Sequence, residues 1–197
     1  MSHDSLLLLI SGPAGSGKTT LCDRLLEEFA SGLQRVITTT TRLPREGEVD
    51  GVDYHFLDEA EFLHKVDAGE FYEYARVHSG YYGTQKSAIR EQLNCDMDLI
   101  LNIDVQGAAS FRKIARSDAT LAGQLVTVFI QPASIDQIRE RLLHRGKDTS
   151  DEIERRLITA EQEMTQKDFF DHVIISGTKE ADYEAFRHLY LSNREGS

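Results

Sequence analysis

The sequence predicts an α/β fold in which a parallel sheet is flanked by helices, and three features carry that prediction. Short apolar strand candidates alternate with helical patterns along the 197 residues. A glycine-rich segment, GPAGSGKT, stands at the first strand-to-helix junction. One stretch, from about Arg42 to Gly83, is richer in aromatic and turn residues and breaks the alternation.

Taken in order, the first strand candidate is the apolar run Leu6 to Ser11. The helix that follows, Lys18 to Phe29, places Leu21, Leu25, Leu26 and Phe29 on one side. Val36 to Thr40 is the second strand candidate. In the interrupting stretch, Asp50-Gly51 marks a turn, and a short helix opens at Asp58, where Glu61 completes a capping-box pattern. Strand candidates resume at Leu99 to Asp104 and Val126 to Gln131. Two further helices, Ile135 to Leu143 and Ile153 to Met164, repeat the three-to-four spacing. The polar stretch between them, His144 to Asp151 with Gly146 inside it, is a candidate lid. His172 to Ser176 is the last strand candidate. No internal repeat, low-complexity tract or linker divides the chain, so one domain over residues 1–197 is expected.

With 40% hydrophobic and 28% charged residues, the composition is that of a globular domain. No apolar run approaches the ~20 residues of a membrane span, and Leu6 to Ile10 lacks the basic flank of a signal peptide, so a cytoplasmic location is expected by elimination. A formal net charge of −11 disfavours nucleic-acid or anionic-membrane partners, which need an extended basic field. It leaves room for a small phosphorylated ligand, since charges beyond about 8 Å are screened at physiological salt. Cys22 and Cys95 have no metal-ligand spacing and read as unreactive thiols.

Residues 12–19 match G-x-x-x-x-G-K-[ST] in the context the pattern requires, after a strand and before a helix. Glycines let backbone N–H groups turn inward around a phosphate, Lys18 reaches the β and γ phosphates, and Thr19 is placed to ligate Mg²⁺. A plain glycine-rich turn is the bland alternative. Arg42 and Arg45 follow the second strand candidate, on the sheet edge where open parallel sheets bind ligands. Pro44 between them stiffens a loop whose guanidinium forks suit a second phosphate. A GTPase would carry N-K-x-D for guanine, and the sequence has none.

GPAGSGKT at 12–19 is joined by TTRLPREGEVDGVDYHF at 40–56, EFYEYARVHSGYYGT at 70–84, IDVQG at 103–107, RERLLHRG at 139–146 and ERRL at 154–157. With these blocks the chain closely resembles guanylate kinase, a nucleoside monophosphate kinase that phosphorylates GMP from ATP, over nearly its whole length. The resemblance implies a P-loop NTPase-like core (1–37, 84–140 and 157–197), a GMP-binding insertion (38–83) and a small lid (141–156). ATP is expected on Gly12, Pro13, Ala14, Gly15, Ser16, Gly17, Lys18, Thr19 and Thr20, with Mg²⁺ at Thr19. Arg42, Arg45, Tyr54 and Tyr82 would hold the GMP phosphate, and Thr38, Glu73, Thr84 and Asp104 would face guanine. Lys18, Arg141, Arg145 and Arg156 would be the catalytic cations around the transferring phosphoryl group.

The carboxylates make chemical sense apart from the family: guanine offers adjacent N1–H and amine donors, and an ionised carboxylate only accepts. Taken singly, Glu73 reads equally as a solvent-facing strand residue, Asp104 as a helix cap, and the lid arginines as surface ion pairs with Glu140, Glu152 or Glu154. Tyr81 and Tyr82, as strand neighbours, are expected to face opposite ways. The chain departs from the family pattern at Asn102, usually acidic, which puts metal handling in doubt. It departs again at Ser176-Gly177, where Asn-Asp is common beside adenine. Two alternatives stand beside the kinase reading: a guanylate-kinase-like binding module without activity, and a related P-loop kinase with another phosphorylated acceptor.

Overall fold

In the computed structural model, which describes residues 5–77, 80–118, 121, 123–146 and 149–195, the chain opens with β1 (Leu7–Ser11), α1 (Lys18–Glu28), β2 (Leu33–Arg35), β3 (Thr39–Thr40), β4 (His55–Phe56), α2 (Glu59–Asp67), β5 (Phe71–Val77) and β6 (Gly80–Gln85). It continues with α3 (Ser87–Leu93), β7 (Asp98–Asn102), α4 (Val105–Ala115), β8 (Leu125–Pro132), α5 (Ile135–Arg145), α6 (Ser150–Met164), β9 (His172–Ser176) and α7 (Lys179–Glu195).

Every residue of β1 is buried, because the strand is the centre of a five-stranded parallel sheet ordered β2-β7-β1-β8-β9 and is covered on both faces. Its pleat splits the core in two. Leu6, Leu8 and Ile10 pack with Leu21 and Leu25 of α1 and with Tyr183, Phe186 and Tyr190 of α7. Leu7 and Leu9 face the opposite layer with Ile89 of α3, Phe111 of α4 and Phe129 of β8. The parallel sheet with flanking helices matches the expected fold class, and its neighbours diverge at β1, so the loop after β1 opens on the crevice such sheets offer to ligands.

The interrupting stretch forms a second sheet of its own, ordered β4-β3-β6-β5, with β3 and β5 antiparallel to β6. The expected strand Val36 to Thr40 is accordingly two things. Leu33–Arg35 pairs with β7, Val36 still donates to the Ile100 carbonyl (3.0 Å), and Thr39–Thr40 pairs with β4 and β6. The chain thus leaves one sheet and enters the other between Val36 and Thr39. A register shift at Phe71/Glu73 marks a bulge in β5 that aims successive side chains at different targets. Phe71 stacks on Phe62 of α2, Tyr72 packs on Phe111 in the main core, and Glu73 faces a cleft.

Asp58 caps α2 by accepting from the Glu61 N–H (2.7 Å), the forward half of the expected capping box. The reciprocal box occurs instead at Thr149 and Glu152, opening α6. Helices α5 and α6 carry a small core of their own, Ile138, Leu142, Ile153, Leu157 and Ala160. The stretch His144 to Asp151, expected as a polar lid between the two helices, is mostly helical at its ends: His144 and Arg145 close α5, Ser150 and Asp151 open α6, and of the residues between, 147 and 148 fall outside the described set. No described helix is long and apolar enough to cross a membrane. Cys22 is buried and burial pushes its thiol up to about 12, while Cys95, just past α3, is exposed.

Candidate active site

The loop 12–17 is shaped by backbone rather than side chains. Gly12 has φ +140°, and a Cβ there would stand 2.4 Å from the Ile130 carbonyl oxygen, so the residue must be glycine for β1 and β8 to close beneath the loop. Gly17, at φ 99°, is the N-cap of α1 and turns the chain into the helix. The Lys18 ammonium donates to the carbonyls of Gly12 (2.6 Å) and Pro13 (2.9 Å), spanning the loop mouth. Ser16 is buried, and among the described residues its hydroxyl has no hydrogen-bond partner. A buried hydroxyl left unmatched costs about 1–3 kcal/mol, and an anion in the loop would satisfy it. Successive N–H groups at the amino end of α1 add positive potential at the same place.

Thr19 and Thr20 are exposed in the first turn of α1. Among the described residues no group of three or more His, Cys, Asp or Glu converges into a metal cage. The exposed Thr19 hydroxyl beside the loop fits an ion such as Mg²⁺, which keeps water and takes phosphate oxygens as further ligands. Beside the loop lies a cavity of about 560 Å³ walled by Gly15, Thr20, Arg24, Arg141, His144 and Asp182. Arg24 is fixed there, stacked 3.8 Å over the Tyr183 ring and paired with Glu180.

A second cavity, of about 220 Å³, opens between the two sheets and gathers Thr38, Tyr54, Glu73, Tyr82, Asn102 and Asp104. Its floor adjoins the first site, because the Ile103 N–H donates to the Ile10 carbonyl (3.1 Å) beside the cradle. Glu73 accepts from the buried Thr84 hydroxyl (2.7 Å). Burial pushes its carboxyl up to about 6, Asp104's charge adds to the rise, and the Thr84 hydrogen bond opposes it. Asp104 is the N-cap of α4, accepting from the Gly107 N–H (2.8 Å), and it also lines the cavity. Gly107 matters for both carboxylates: a Cβ there would sit 3.4 Å from a Glu73 oxygen and 3.5 Å from an Asp104 oxygen. Thr38 accepts the His55 N–H on its carbonyl (2.8 Å) and so holds the cavity's edge to β4.

The arginine pair differs from the expected pair of open forks. Arg42 donates to Leu43 O (2.7 Å), to both carboxylate oxygens of Glu48 (2.8 and 2.9 Å) and, through Nε, to the Tyr82 hydroxyl (3.2 Å). That leaves one of a guanidinium's five N–H groups. The loop is the reason: Glu48 also accepts the Arg45 N–H (2.7 Å), closing Leu43 to Gly47 into a tight turn around its carboxylate. Glu48 holds Arg42 firmly protonated, and Arg42 holds the Glu48 carboxyl below its usual range. The Tyr82 hydroxyl, having accepted from Arg42, keeps its own proton to donate. Tyr81 faces the other way and stacks on Phe62. Tyr54 stands edge-on to Tyr82, centroids 6.2 Å apart, while the Arg45 side chain is exposed.

From α5, Arg141 reaches the loop by donating to the Gly15 carbonyl (3.0 Å). Arg145 ends α5 with its side chain outside the described set, and Arg156 is an exposed residue of α6. Across these helices Arg139 pairs with Glu154. Sequence reasoning missed three polar residues here: Glu48, Asp182, and Glu163 near the end of α6. The Glu163 carboxyl is raised by burial, with Lys18 lowering it and Asp104 raising it. Its position three residues after Ala160, on the buried side of α6, could have indicated the last; nothing local indicates the first two.

The model of the family described as "Guanylate kinase" matches residues 5–190. A guanylate kinase from Campylobacter jejuni subsp. jejuni serotype O:2 is 39% identical over 194 residues, covering 98% of this chain and 91% of the relative. One from Wolbachia pipientis wMel is 40% identical over 194 residues, covering 98% and 93%. The crystal structure of guanylate kinase from Anaplasma phagocytophilum is similar with a TM-score of 0.73 at 27% sequence identity, covering 98% of this chain and 88% of that one.

Proposed function

The chain belongs to the guanylate kinase family, and from that premise we infer that it transfers the γ-phosphoryl group of ATP to GMP or dGMP, releasing ADP and the nucleoside diphosphate. The observation that carries this reading is the adjacency of two differently built clefts, a backbone cradle after β1 and a carboxylate-lined cavity between the sheets. The first suits a triphosphate. The second suits a base that donates two hydrogen bonds side by side.

In this reading Gly12 to Thr20 hold the donor, with inward N–H groups, the Ser16 hydroxyl and the Lys18 ammonium on its phosphates. Glu73 and Asp104 accept from guanine N1–H and its amine, with Thr38 and Thr84 beside them. Adenine presents an acceptor at N1, so it would leave a buried carboxylate unmatched; sites of this kind reject the wrong partner by a factor on the order of 10⁴. Tyr54, Tyr82 and Arg45, with the remaining N–H of Arg42, grip the acceptor phosphate. One of its oxygens attacks the γ phosphorus in line, forming a P–O bond as the bond to the β-phosphate oxygen breaks, and no side chain is needed as a nucleophile. Arg141, Arg145 and Arg156 are the cations that offset charge on the equatorial oxygens. Bound Mg²⁺ would neutralise charge between the β and γ phosphates, with Thr19 as its protein ligand. A cytoplasmic location accords with substrates of this kind.

A coupled assay of ADP release from ATP, run against GMP, dGMP, AMP, UMP and dTMP, tests the reading. GMP and dGMP should be turned over and the others scarcely. Equal turnover of AMP or a pyrimidine nucleotide would point to a different acceptor, and no turnover of any would point to a binding module.

A further inference from the structure

Asp182 is 7% exposed, in the first turn of α7, and among the described residues no cation touches it. Its oxygens accept from the Gly177 N–H (2.6 Å) and from the Ser176 hydroxyl (2.7 Å). Ser176, itself buried, accepts in turn from Nη2 of Arg141 (3.1 Å). The direction of this chain is fixed by chemistry. A carboxylate only accepts, so it takes the single proton of the Ser176 hydroxyl, and the hydroxyl must then present a lone pair to Arg141. Each bond polarises the next.

We propose that Asp182, acting through Ser176, is a positioning residue for Arg141. The carboxylate turns the serine hydroxyl so that its lone pair, together with the Gly15 carbonyl, pins both Nη atoms of Arg141 across the cradle. Three of the five guanidinium N–H groups, one of them on Nε, stay available for the transferring phosphoryl group. The proposal rests on the catalytic reading of Arg141. It also gives a role to the buried Ser176, whose hydroxyl joins Arg141 of α5 to the first turn of α7. The bland competitor is that Asp182 merely ties that turn through the Gly177 N–H. A second competitor is direct contact with the donor nucleotide, since Asp182 lines the larger cavity.

A double-mutant cycle separates these. Asp182→Asn keeps the shape and an acceptor for the Gly177 N–H but removes the charge that orients Ser176. The expected result is a roughly tenfold fall in kcat, the scale of a modest misplacement of a catalytic group, with KM for GMP and ATP unchanged. The same substitution made on Arg141→Ala should cost almost nothing further, because the two act as one unit. Ser176→Ala, which deletes a single hydroxyl, should behave alike and serves if Asp182→Asn fails to fold. An unchanged kcat in Asp182→Asn, an equal loss in both backgrounds, or a rise in ATP KM with kcat intact would each overturn the relay while leaving Arg141's own role standing. If Arg141→Ala is itself silent, the catalytic reading falls and the relay with it.

Discussion

The two clefts to which phosphate is assigned in this reading are made in opposite ways. The cradle after β1 is main chain: Gly12 is forced by the Ile130 carbonyl, Gly17 turns the strand into α1, and the side chain that crosses it, Lys18, lies in the same eight residues. The acceptor cleft is side chain held by side chain. Arg42 is set by Glu48 and Tyr82, Glu73 by Thr84 eleven positions away, and the gap between the carboxylates by Gly107. A site built from backbone tolerates little change and is local in sequence. A site built from paired side chains can be tuned one residue at a time, and its pairs are scattered.

That contrast can be broken at several points. The largest effect is expected at the cradle: Lys18→Ala should lower kcat by roughly 10²–10³-fold, the usual cost of losing a preorganised charge at the reacting group, while the melting temperature stays near that of the parent. Retained turnover in a steady-state assay would remove Lys18 from the chemistry. Next comes Glu73→Gln, which turns an acceptor into a group that can also donate, and should erode the preference for GMP over AMP. Undiminished discrimination, measured as the ratio of kcat/KM values, would take the base-reading role from Glu73.

The same residue predicts a pH dependence. With its carboxyl raised to about 6, Glu73 loses the ionised form needed for guanine as pH falls below that value, so kcat/KM for GMP should drop there. The phosphate of GMP also titrates near pH 6, and Glu73→Gln isolates the two: the part due to the carboxyl should vanish in the variant. An identical profile in both proteins would contradict the assignment. The stability effect has a defined sign. Folded Glu73 binds its proton more tightly than an unfolded glutamate, whose pKa is about 4.3; its contribution is therefore fully favourable below that value and is lost as pH rises through about 6.

The smallest effect is expected for Glu48→Gln. Loosening Arg42 adds a side-chain ordering cost to GMP binding, so KM for GMP should rise roughly 2- to 10-fold with kcat little changed. A lower KM would instead mean that Glu48 competes with the acceptor phosphate for Arg42.

How much was legible in the sequence follows the same division. Apolar runs placed β1, β8 and β9, and the glycine pattern placed the cradle, because burial and backbone conformation leave local marks. Val36 to Thr40 misled as one strand, since nothing local says that Thr39 and Thr40 pair with β4 and β6. Helix α7 was there to be read in the spacing of Tyr183, Phe186 and Tyr190, which pack on the core. Glu48 and Asp182 were not. Their value lies in partners that only the fold brings near, Tyr82 for one network and Arg141 for the other.

If GMP and ATP are held by these two separately built sites, calorimetric titration of GMP into Arg42→Ala will uncouple them. Affinity should fall roughly 10- to 100-fold, the worth of one charge-assisted hydrogen bond and the tyrosine it orders, while ATP titrated into the same protein binds as in the parent. GMP bound as tightly as by the parent, or ATP weakened in step with it, would mean that the two nucleotides are not held separately.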